Sequence, residues 1–479
     1  MNNTLTSKKE SFLLIIFVTS LLVFIVCANY PIDPDMWWHL RNGQLVATRG
    51  SIPKVDQFSF TKLNQPWVNA FWLSDLIIYI FYKLGGLTLL VIIFAILGVI
   101  TYISIFKFIS GNFLLKAILV ILAAISTSPE WTIRPQVISF LILSSLNIYI
   151  IHNNNLNWKK YSWLPFLFLV WANIHGGYIW GVLLLIAVII GNYVEIFVFK
   201  NKTINKLELN KFSLLSLISF LFITINPNGL DILKLPFQTI NVSISSIMEW
   251  ASPNFHDMIM QPFLWIVLLF ITSSSLSKRR LPIDQLLKVI GFLFLAFISQ
   301  RNIPLAIVVL LPIMIDNLSS LFNNNQNNVS KKKSNLPRFV TYSLNTIIIL
   351  CLGFACAIRI YSITSSSKIS DIYPTQAVNW IHENHPKGNM LNSYNWGGYL
   401  IFNLPEYKVF IDGRADLYGN ELIGTWWDIV SDKPDAMPII DKYGVNFVLL
   451  EPDRPIIKTL LDNNWKISYQ DEISVIVSR

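Results

Sequence analysis

Residues 32–43 read IDPDMWWHLRNG and follow shortly after a long apolar run. Pro34 fixes its own φ and disfavours helix at Asp33, so we expect Asp33 and Asp35 in extended chain just before an amphipathic helix. Two carboxylates one residue apart beside an apolar run repel each other unless a cation, a proton or a substrate relieves the repulsion. The stretch therefore predicts either a reactive acidic pair or a helix cap with tryptophan anchors.

The composition around this stretch is that of a membrane protein. The 479 residues are 53% hydrophobic and only 14% charged, which is too little charge for the surface of a soluble protein. A helix that spans a bilayer needs about 20 mostly apolar residues, and such runs lie at 87–106, 177–198 and 339–359. No small-residue cleavage site follows the first run, 11–28, so we expect a retained helix rather than a signal peptide. The sequence predicts an α-helical polytopic membrane protein.

The net charge of +9 indicates topology rather than a nucleic-acid partner. Basic residues collect in short loops between apolar runs, as is typical of the cytoplasmic side of a bacterial plasma membrane. The expected cytoplasmic clusters are Lys159 with Lys160, Lys200 with Lys202 and Lys206, residues 278–280, and residues 331–333 with Arg338. We predict the lipid bilayer as a partner and no nucleic acid.

Alternation across the membrane then assigns the remaining segments. The segments expected on the outer side are 134–136, 171–178, 226–261, 300–302 and everything after Tyr361. One crossing is too many for this pattern, so we assign the short, aromatic segment 69–84 to an interfacial helix that ends at the glycine pair 85–86. The result is a multi-pass protein of about eleven spans with a cytoplasmic N-terminus, an outer C-terminus and a first outer loop at 30–86.

The chain is expected to divide into a membrane domain, 1–361, and a soluble extracytoplasmic α/β domain, 362–479, where the composition becomes more polar. The expected strands are 445–450 and 473–477, and the expected helices are 374–383 and 434–443. The three cysteines, Cys27, Cys351 and Cys356, all fall in apolar runs. We therefore expect no disulfide framework and no thiolate metal cluster in the soluble parts.

The first outer loop has a recognisable order of features. A short helix follows the first span, an extended segment lies at 52–56, and Gln65-Pro66-Trp67 leads into the interfacial helix. With the acidic pair Asp33 and Asp35, this order resembles the first outer loop of the GT-C fold glycosyltransferases. That superfamily includes protein mannosyltransferases and the aminoarabinose transferases of lipid A. The expected eleven-span topology is similar as well.

The resemblance implies a sugar-transfer reaction. One of Asp33 and Asp35 would be the base that takes the proton from an acceptor hydroxyl as it attacks the anomeric carbon of a sugar on a polyprenyl phosphate. The other would orient the acceptor or hold a divalent cation, and Asp35 is our candidate ligand for Mg²⁺ or Mn²⁺. The donor sugar, the acceptor and the need for metal stay open.

Three arginines near expected span ends are candidates for binding the donor phosphate. Arg41, Arg134 and Arg301 lie on the expected outer side, and a guanidinium makes bidentate contacts with phosphate oxygens. The alternative is that each arginine extends along the lipid to reach the interface.

Polar groups in two other outer segments are candidates for binding sugar hydroxyls. Asn173 and His175 precede the glycine pair at 176–177, which would let a ligand approach the backbone. His39, with residues 249–250 and 256–257, could line a sugar site, and His39 with His256 could form a zinc site if their spacing allows it. The alternative for 171–177 is a polar turn between packed helices.

In the C-terminal domain, Asp412 and Arg414 end a short apolar strand, a position where ligand-binding residues often lie in α/β folds. The alternative is an internal ion pair in a tight turn. Taken together, the features favour a membrane glycosyltransferase that acts on an envelope acceptor at the outer face. The rivals are a non-catalytic component of polysaccharide assembly or export and a transporter, although a transporter should show internal repeats and ionisable residues at mid-span.

Overall fold

The computed structural model describes residues 2–30, 33–153, 156–201, 203–240, 248–277, 280–323, 338–364 and 369–479. The helical part contains α1 (Asn2–Cys27), α2 (Pro34–Arg49), α3 (Trp72–Phe108), α4 (Phe113–Ser126), α5 (Gln136–His152), α6 (Leu164–Ile174), α7 (Tyr178–Phe197), α8 (Lys206–Phe222), α9 (Leu235–Ile240), α10 (Gln261–Leu276), α11 (Ile283–Ile298), α12 (Ile303–Asn323) and α13 (Arg338–Thr364). Of the expected cytoplasmic clusters, Lys202, residues 278–279 and residues 331–333 lie outside the described residues.

Several of these helices are apolar enough to cross a membrane. By length and composition, five described segments qualify: Glu10–Cys27, Trp72–Phe108, Tyr178–Phe197, Gln300–Leu321 and Tyr342–Thr364. Three shorter apolar helices are Phe113–Ser126, Gln136–His152 and Gln261–Leu276. The protein is therefore a multi-pass membrane protein, while the number of about eleven spans stays a prediction.

The helix α2 begins and ends where its sequence provides the right residues. Asp33 is its N-cap, Pro34 occupies the first turn, and Gly50 closes the other end with φ of 64°. In the next helix, α3, the backbone leaves helical geometry at Gly85 and at Gly86, where φ is 62°. The segment α3 is thus two helices joined at the glycine pair, so the predicted helix end at 85–86 is confirmed, and the first of the two helices begins at Trp72.

The C-terminal domain is built around a small mixed sheet. Its elements are α14 (Thr375–Asn384), β1 (Asn389–Asn392), α15 (Gly397–Asn403), α16 (Ala415–Val430), α17 (Ala436–Lys442), β2 (Val445–Leu450), α18 (Ile456–Asp462), β3 (Lys466–Gln470) and β4 (Val475–Ser478). The strand order is β1-β2-β4-β3, and only the β1–β2 pair is parallel. Both expected strands and both expected helices are present. The sequence did not predict β1 and β3. Strand β1 has polar ends and β3 has exposed residues, so neither strand forms an apolar run.

This domain packs directly on the first outer loop. Val409 donates from its backbone N to Phe58 O at 3.0 Å, and Phe60 N donates to Val409 O at 3.1 Å. Helix α15 lies so close to α2 that a Cβ on Gly398 would meet Pro34 O at 2.2 Å, a contact that only glycine permits. Loop and domain therefore meet without a gap at the N-terminus of α2.

Candidate functional site

The N-terminus of α2 places the acidic pair. Asp33 has extended backbone, with φ of −70° and ψ of 118°, and its carboxylate accepts a hydrogen bond from Asp35 N at 3.0 Å. Asp33 thus caps the helix, as the alternative interpretation of the pair predicted. Asp35 lies in the first turn, where the partial positive charge of the helix end favours a carboxylate. Trp38 donates to Asp35 Oδ1 at 3.0 Å, so neighbours on the same helix fix its position.

The Arg134 guanidinium contacts three carboxylates, those of Asp33, Asp35 and Glu249, which we call the acidic cluster. Arg134 approaches Asp35 Oδ2 with Nη2 at 2.7 Å, and its Nη1 lies 2.9 Å from Glu249 Oε2 and 3.4 Å from Asp33 Oδ2. Arg134 stands just before α5, and Glu249 lies in a short 3₁₀ helix, Met248–Trp250. Three segments that are distant in sequence therefore meet at one point.

Arg301 lies at the edge of this cluster. Its Nη1 is 3.8 Å from Glu249 Oε1, and its guanidinium lies over the Trp250 ring at 4.8 Å. Because 23% of its side chain is exposed, Arg301 keeps donors that a ligand can reach. Arg134 and Arg301 thus converge on one acidic site rather than extending separately to the interface.

Burial and charge set the protonation of the carboxyl groups. Burial raises the pKa of Asp35 to about 7, Arg134 opposes the rise, and Asp33 and Glu249 add to it. Burial raises the pKa of Glu130 to about 8, with a further contribution from Glu249. Burial also disfavours the charged form of Glu249, but Arg134 and Arg301 outweigh it and lower that pKa to about 2. Within the acidic cluster, the pKa of Asp35 is therefore raised toward neutral pH and that of Glu249 is lowered away from it.

His39 belongs to a buried network between α2 and α3. Only 2% of it is exposed, and its Nδ1 lies 2.6 Å from Asp75 Oδ1. Asn42 Nδ2 donates to the other Asp75 oxygen at 2.5 Å, and Asn69 Nδ2 donates to Asn42 Oδ1 at 3.2 Å. These contacts join the helices and leave His39 no exposed edge for a sugar.

The other expected sugar-binding residues also have structural partners. Asn173 accepts from Trp72 Nε1 at 2.8 Å and donates to Ile225 O at 3.0 Å, which ties α6 to two neighbouring segments. His175 Nδ1 lies 2.8 Å from Ser139 Oγ and accepts from Gly177 N at 2.9 Å. This arrangement favours the alternative of a polar turn between packed helices.

Arg41 lies on α2 and donates to Gln44 Oε1 at 2.7 Å. Among the described residues, the ion pairs of the acidic cluster are made by Arg134 and Arg301 and do not include Arg41. The structure therefore places Arg41 apart from Arg134 and Arg301.

A zinc site between His39 and His256 is not formed, because His39 is buried and His256 is exposed. Within the described ranges, no group of three or more His, Cys, Asp or Glu side chains could hold a metal ion.

Asp412 and Arg414 form a buried ion triad with the first outer loop. Arg414 Nη2 lies 2.6 Å from Asp412 Oδ2, and its Nη1 lies 2.7 Å from Asp56 Oδ1. All three side chains are at most 1% exposed. The Tyr418 hydroxyl also donates to Asp412. Their burial favours an internal pair over direct contact with a substrate.

The triad nevertheless bears on the acidic cluster, because Gly413 lies in the chain between Asp412 and Arg414. A Cβ on Gly413 would come within 1.8 Å of Asp35 Oδ1. The C-terminal domain therefore places a glycine against Asp35. Because glycine has no side chain, the Asp35 carboxylate keeps its position. Tyr394 of the same domain lies near enough for Asp35, Asp412 and Glu249 to help raise its pKa, after burial as the main cause.

Sequence reasoning missed Glu130, Gly413 and Tyr394 as parts of this site. Glu130 stands in Pro129-Glu130-Trp131, between two apolar runs on the side of Arg134, so its position at a span end was a usable signal. Gly413 lies between the two candidates Asp412 and Arg414 in the chain, but it has no side chain that would mark it as part of a site. No local pattern marks Tyr394.

The chain has the GT-C fold, which it shares with three solved structures. The archaeal oligosaccharyltransferase AglB from Archaeoglobus fulgidus, in complex with an inhibitory peptide and a dolichol-phosphate, is similar with a TM-score of 0.56 at 11% identity, over 93% of this chain and 70% of that one. An Archaeoglobus fulgidus oligosaccharyltransferase tethered with an acceptor peptide containing the NVT sequon gives 0.52 at 13% identity, over 93% and 69%. ArnT from Cupriavidus metallidurans, bound to undecaprenyl phosphate, gives 0.49 at 12% identity, over 99% and 98%.

At these identities the likeness shows the fold alone. No protein-family model matches the sequence, and no curated protein matches it.

A divalent cation, which the resemblance allows for Asp35, does not fit the acidic cluster as it stands. The Arg134 guanidinium lies within 3.4 Å of all three carboxylates and supplies the positive charge that a cation would bring. A metal bound there would have to displace Arg134, because like charges at this distance repel. Asp35 as a ligand for Mg²⁺ or Mn²⁺ stays a prediction.

Proposed function

We propose that this protein is a membrane glycosyltransferase that moves a sugar from a polyprenyl-phosphate donor to an envelope acceptor at the outer face of a bacterial plasma membrane. One observation carries the proposal: within a GT-C fold, Asp35 is held by Arg134 and has a pKa near 7. A carboxylate with that pKa is well matched to take a proton at neutral pH. The dolichol-phosphate in the AglB complex supports a lipid phosphate as the donor's carrier.

In the proposed reaction, Asp35 accepts the proton of the acceptor hydroxyl. The acceptor oxygen then forms a bond to the anomeric carbon, while the bond from that carbon to the phosphate oxygen breaks. The leaving lipid phosphate keeps the bonding electrons and gains negative charge, which the exposed donors of Arg301 would stabilise. Arg134 holds Asp35 and Glu249 in place, and Asp33 fixes the start of α2.

The decisive experiment replaces Asp35 by Asn, which keeps the size of the side chain but cannot accept a proton at neutral pH. Losing a general base should lower the transfer of labelled sugar from lipid-extracted donor by about 10² to 10⁴-fold. Asp33→Asn is the matched control, because Asn caps a helix about as well as Asp and should leave much of the activity.

Full transfer in membranes that contain Asp35→Asn would contradict the proposed role of Asp35. A wild-type protein that binds donor but never transfers sugar would instead identify a binding component of envelope assembly.

A further inference from the structure

A second polar site lies at the far end of the bundle from the acidic cluster. Helix α7 begins at Tyr178, close to His175, and ends at Phe197, and its 20 residues at 1.5 Å each give a length of about 30 Å. At that end, residues of α5, α7 and α11, together with Asn201, Thr203 and Ile204, line a cavity of about 400 Å³. This volume is in the range of sites that bind small molecules or lipid headgroups. The proposed transfer reaction makes no use of it.

The lining of the cavity has an apolar part and a charged part. The apolar part consists of Ile150, Ile151, Leu156 and Val188. The charged part holds two ion pairs: Lys288 Nζ lies 3.0 Å from Asp284 Oδ2, and Arg280 Nη2 lies 3.1 Å from Glu195 Oε1. Among the described lining residues, two cations stand beside two carboxylates, so their charges balance. The cavity is therefore amphipathic, with both signs of charge available side by side.

Lys288 is the strongest indication that a ligand belongs here. Its side chain is 1% exposed, and within the described part of the chain its ammonium has no well-oriented hydrogen bond beyond the contact with Asp284. An ammonium has three donors, and buried donors that stay unused are costly. The two described contacts of Glu195, from Arg280 and from Ile283 N, both go to Oε1, which leaves Oε2 for a ligand donor.

We propose that this cavity binds a phospholipid whose headgroup carries both a phosphate and an ammonium, as phosphoethanolamine does. The phosphate would accept from Lys288 and Arg280, and the ammonium would donate to Glu195 and Asp284. The glycerol and the first acyl carbons would lie on the apolar part of the lining. The balanced charges of the described lining residues favour a zwitterion, because a purely anionic ligand would face the two carboxylates without a cation of its own.

The test uses the full chain in detergent, stripped of lipid and titrated with phosphatidylethanolamine while native mass spectrometry counts bound lipid. Phosphatidylglycerol and inorganic phosphate are the parallel probes. We expect phosphatidylethanolamine to bind at least about tenfold more tightly than phosphatidylglycerol, since one charge-assisted contact corresponds to about that factor. Lys288→Gln should remove this preference. Lys160→Gln, which loses the same charge at an exposed position outside the cavity, should keep it.

A second variant keeps the test decisive if Lys288→Gln fails to fold. Asn192 lines the cavity and, among the described residues, its side chain donates to Val188 O of its own helix, so Asn192→Phe should fill the space without removing a charge. We expect this variant to lose the bound lipid and to keep its thermal stability. Equal binding of both lipids by the wild type, or unchanged binding in Asn192→Phe, would overturn the proposal. Binding of inorganic phosphate as tightly as phosphatidylethanolamine would overturn it as well and would indicate a simple anion site.

Discussion

Asp35 illustrates how its surroundings decide the charge of one side chain. Burial favours the neutral acid, Arg134 favours the carboxylate, and Asp33 and Glu249 again favour the neutral acid. The balance raises its pKa to about 7, whereas Glu249, which contacts two arginines, has a pKa lowered to about 2. Two carboxyl groups that share Arg134 are thus separated into one that titrates near neutral pH and one that stays charged.

This separation predicts a pH dependence for the proposed transfer. A base acts only when deprotonated, so the rate should rise as pH increases through about 7, the pKa of Asp35, and level off above it. Glu249 raises the pKa of Asp35, so Glu249→Gln should move the rise to lower pH. The measurement is the rate of labelled-sugar transfer at saturating donor across this range in both proteins. A rate that is flat through pH 7 would contradict the assignment of Asp35 as the base.

At the scale of elements, the turn Asp412-Gly413-Arg414 and the helix α2 come from opposite ends of the chain and fit against each other. Arg414 binds Asp56 of the outer loop, and the backbone hydrogen bonds of Val409 with Phe58 and Phe60 attach the residues just before the turn to the same loop. The turn is thereby fixed with Gly413 against Asp35. The C-terminal domain thus contributes to the position of the candidate base.

Gly413→Ala should disturb this fit. Gly413 does not have a left-handed backbone, so alanine is allowed there, and the whole effect comes from a Cβ within 1.8 Å of Asp35 Oδ1. Displacing a reacting group by about 1 Å can cost about 10²-fold in rate, and we expect a loss of that size in sugar transfer. Gly424→Ala, in α16 of the same domain, meets open space and should leave the rate unchanged. Equal activity of both variants would show that the domain does not position Asp35.

At the scale of the whole molecule, the fold links the direction of insertion to the site. The C-terminal domain contacts the outer loop and α2, so the domain and the loop must lie on the same side of the membrane. Lys159 and Lys160 follow the C-terminal end of α5, whereas Arg134 of the acidic cluster precedes its N-terminal end. A reporter fused after Arg479 should therefore be extracytoplasmic, and one inserted beside Lys160 should be cytoplasmic. Protease protection in intact and opened cells measures both. Two reporters on the same side would require a different arrangement of spans.

Local properties were readable from the sequence because they depend on neighbours along the chain. Apolar length predicted membrane helices, Pro34 and the acidic pair predicted the start of α2, and the glycine pair predicted the break in α3. The α/β domain followed from the change in composition after Ser362. The acids and arginines at the ends of apolar runs were identified as candidates for the same reason.

Only the tertiary structure decided which candidates meet. Arg134 reaches Asp33 across 101 positions and Glu249 across 115, and the packing of helices rather than any spacing brings them together. The same packing buries His39 and Arg414 with structural partners and places Gly413 on Asp35. The sequence by itself determined that the chain is a multi-pass membrane protein and which of its residues are able to do chemistry, because both follow from composition and local pattern. The structure decided the site, because a site is made of contacts between distant segments.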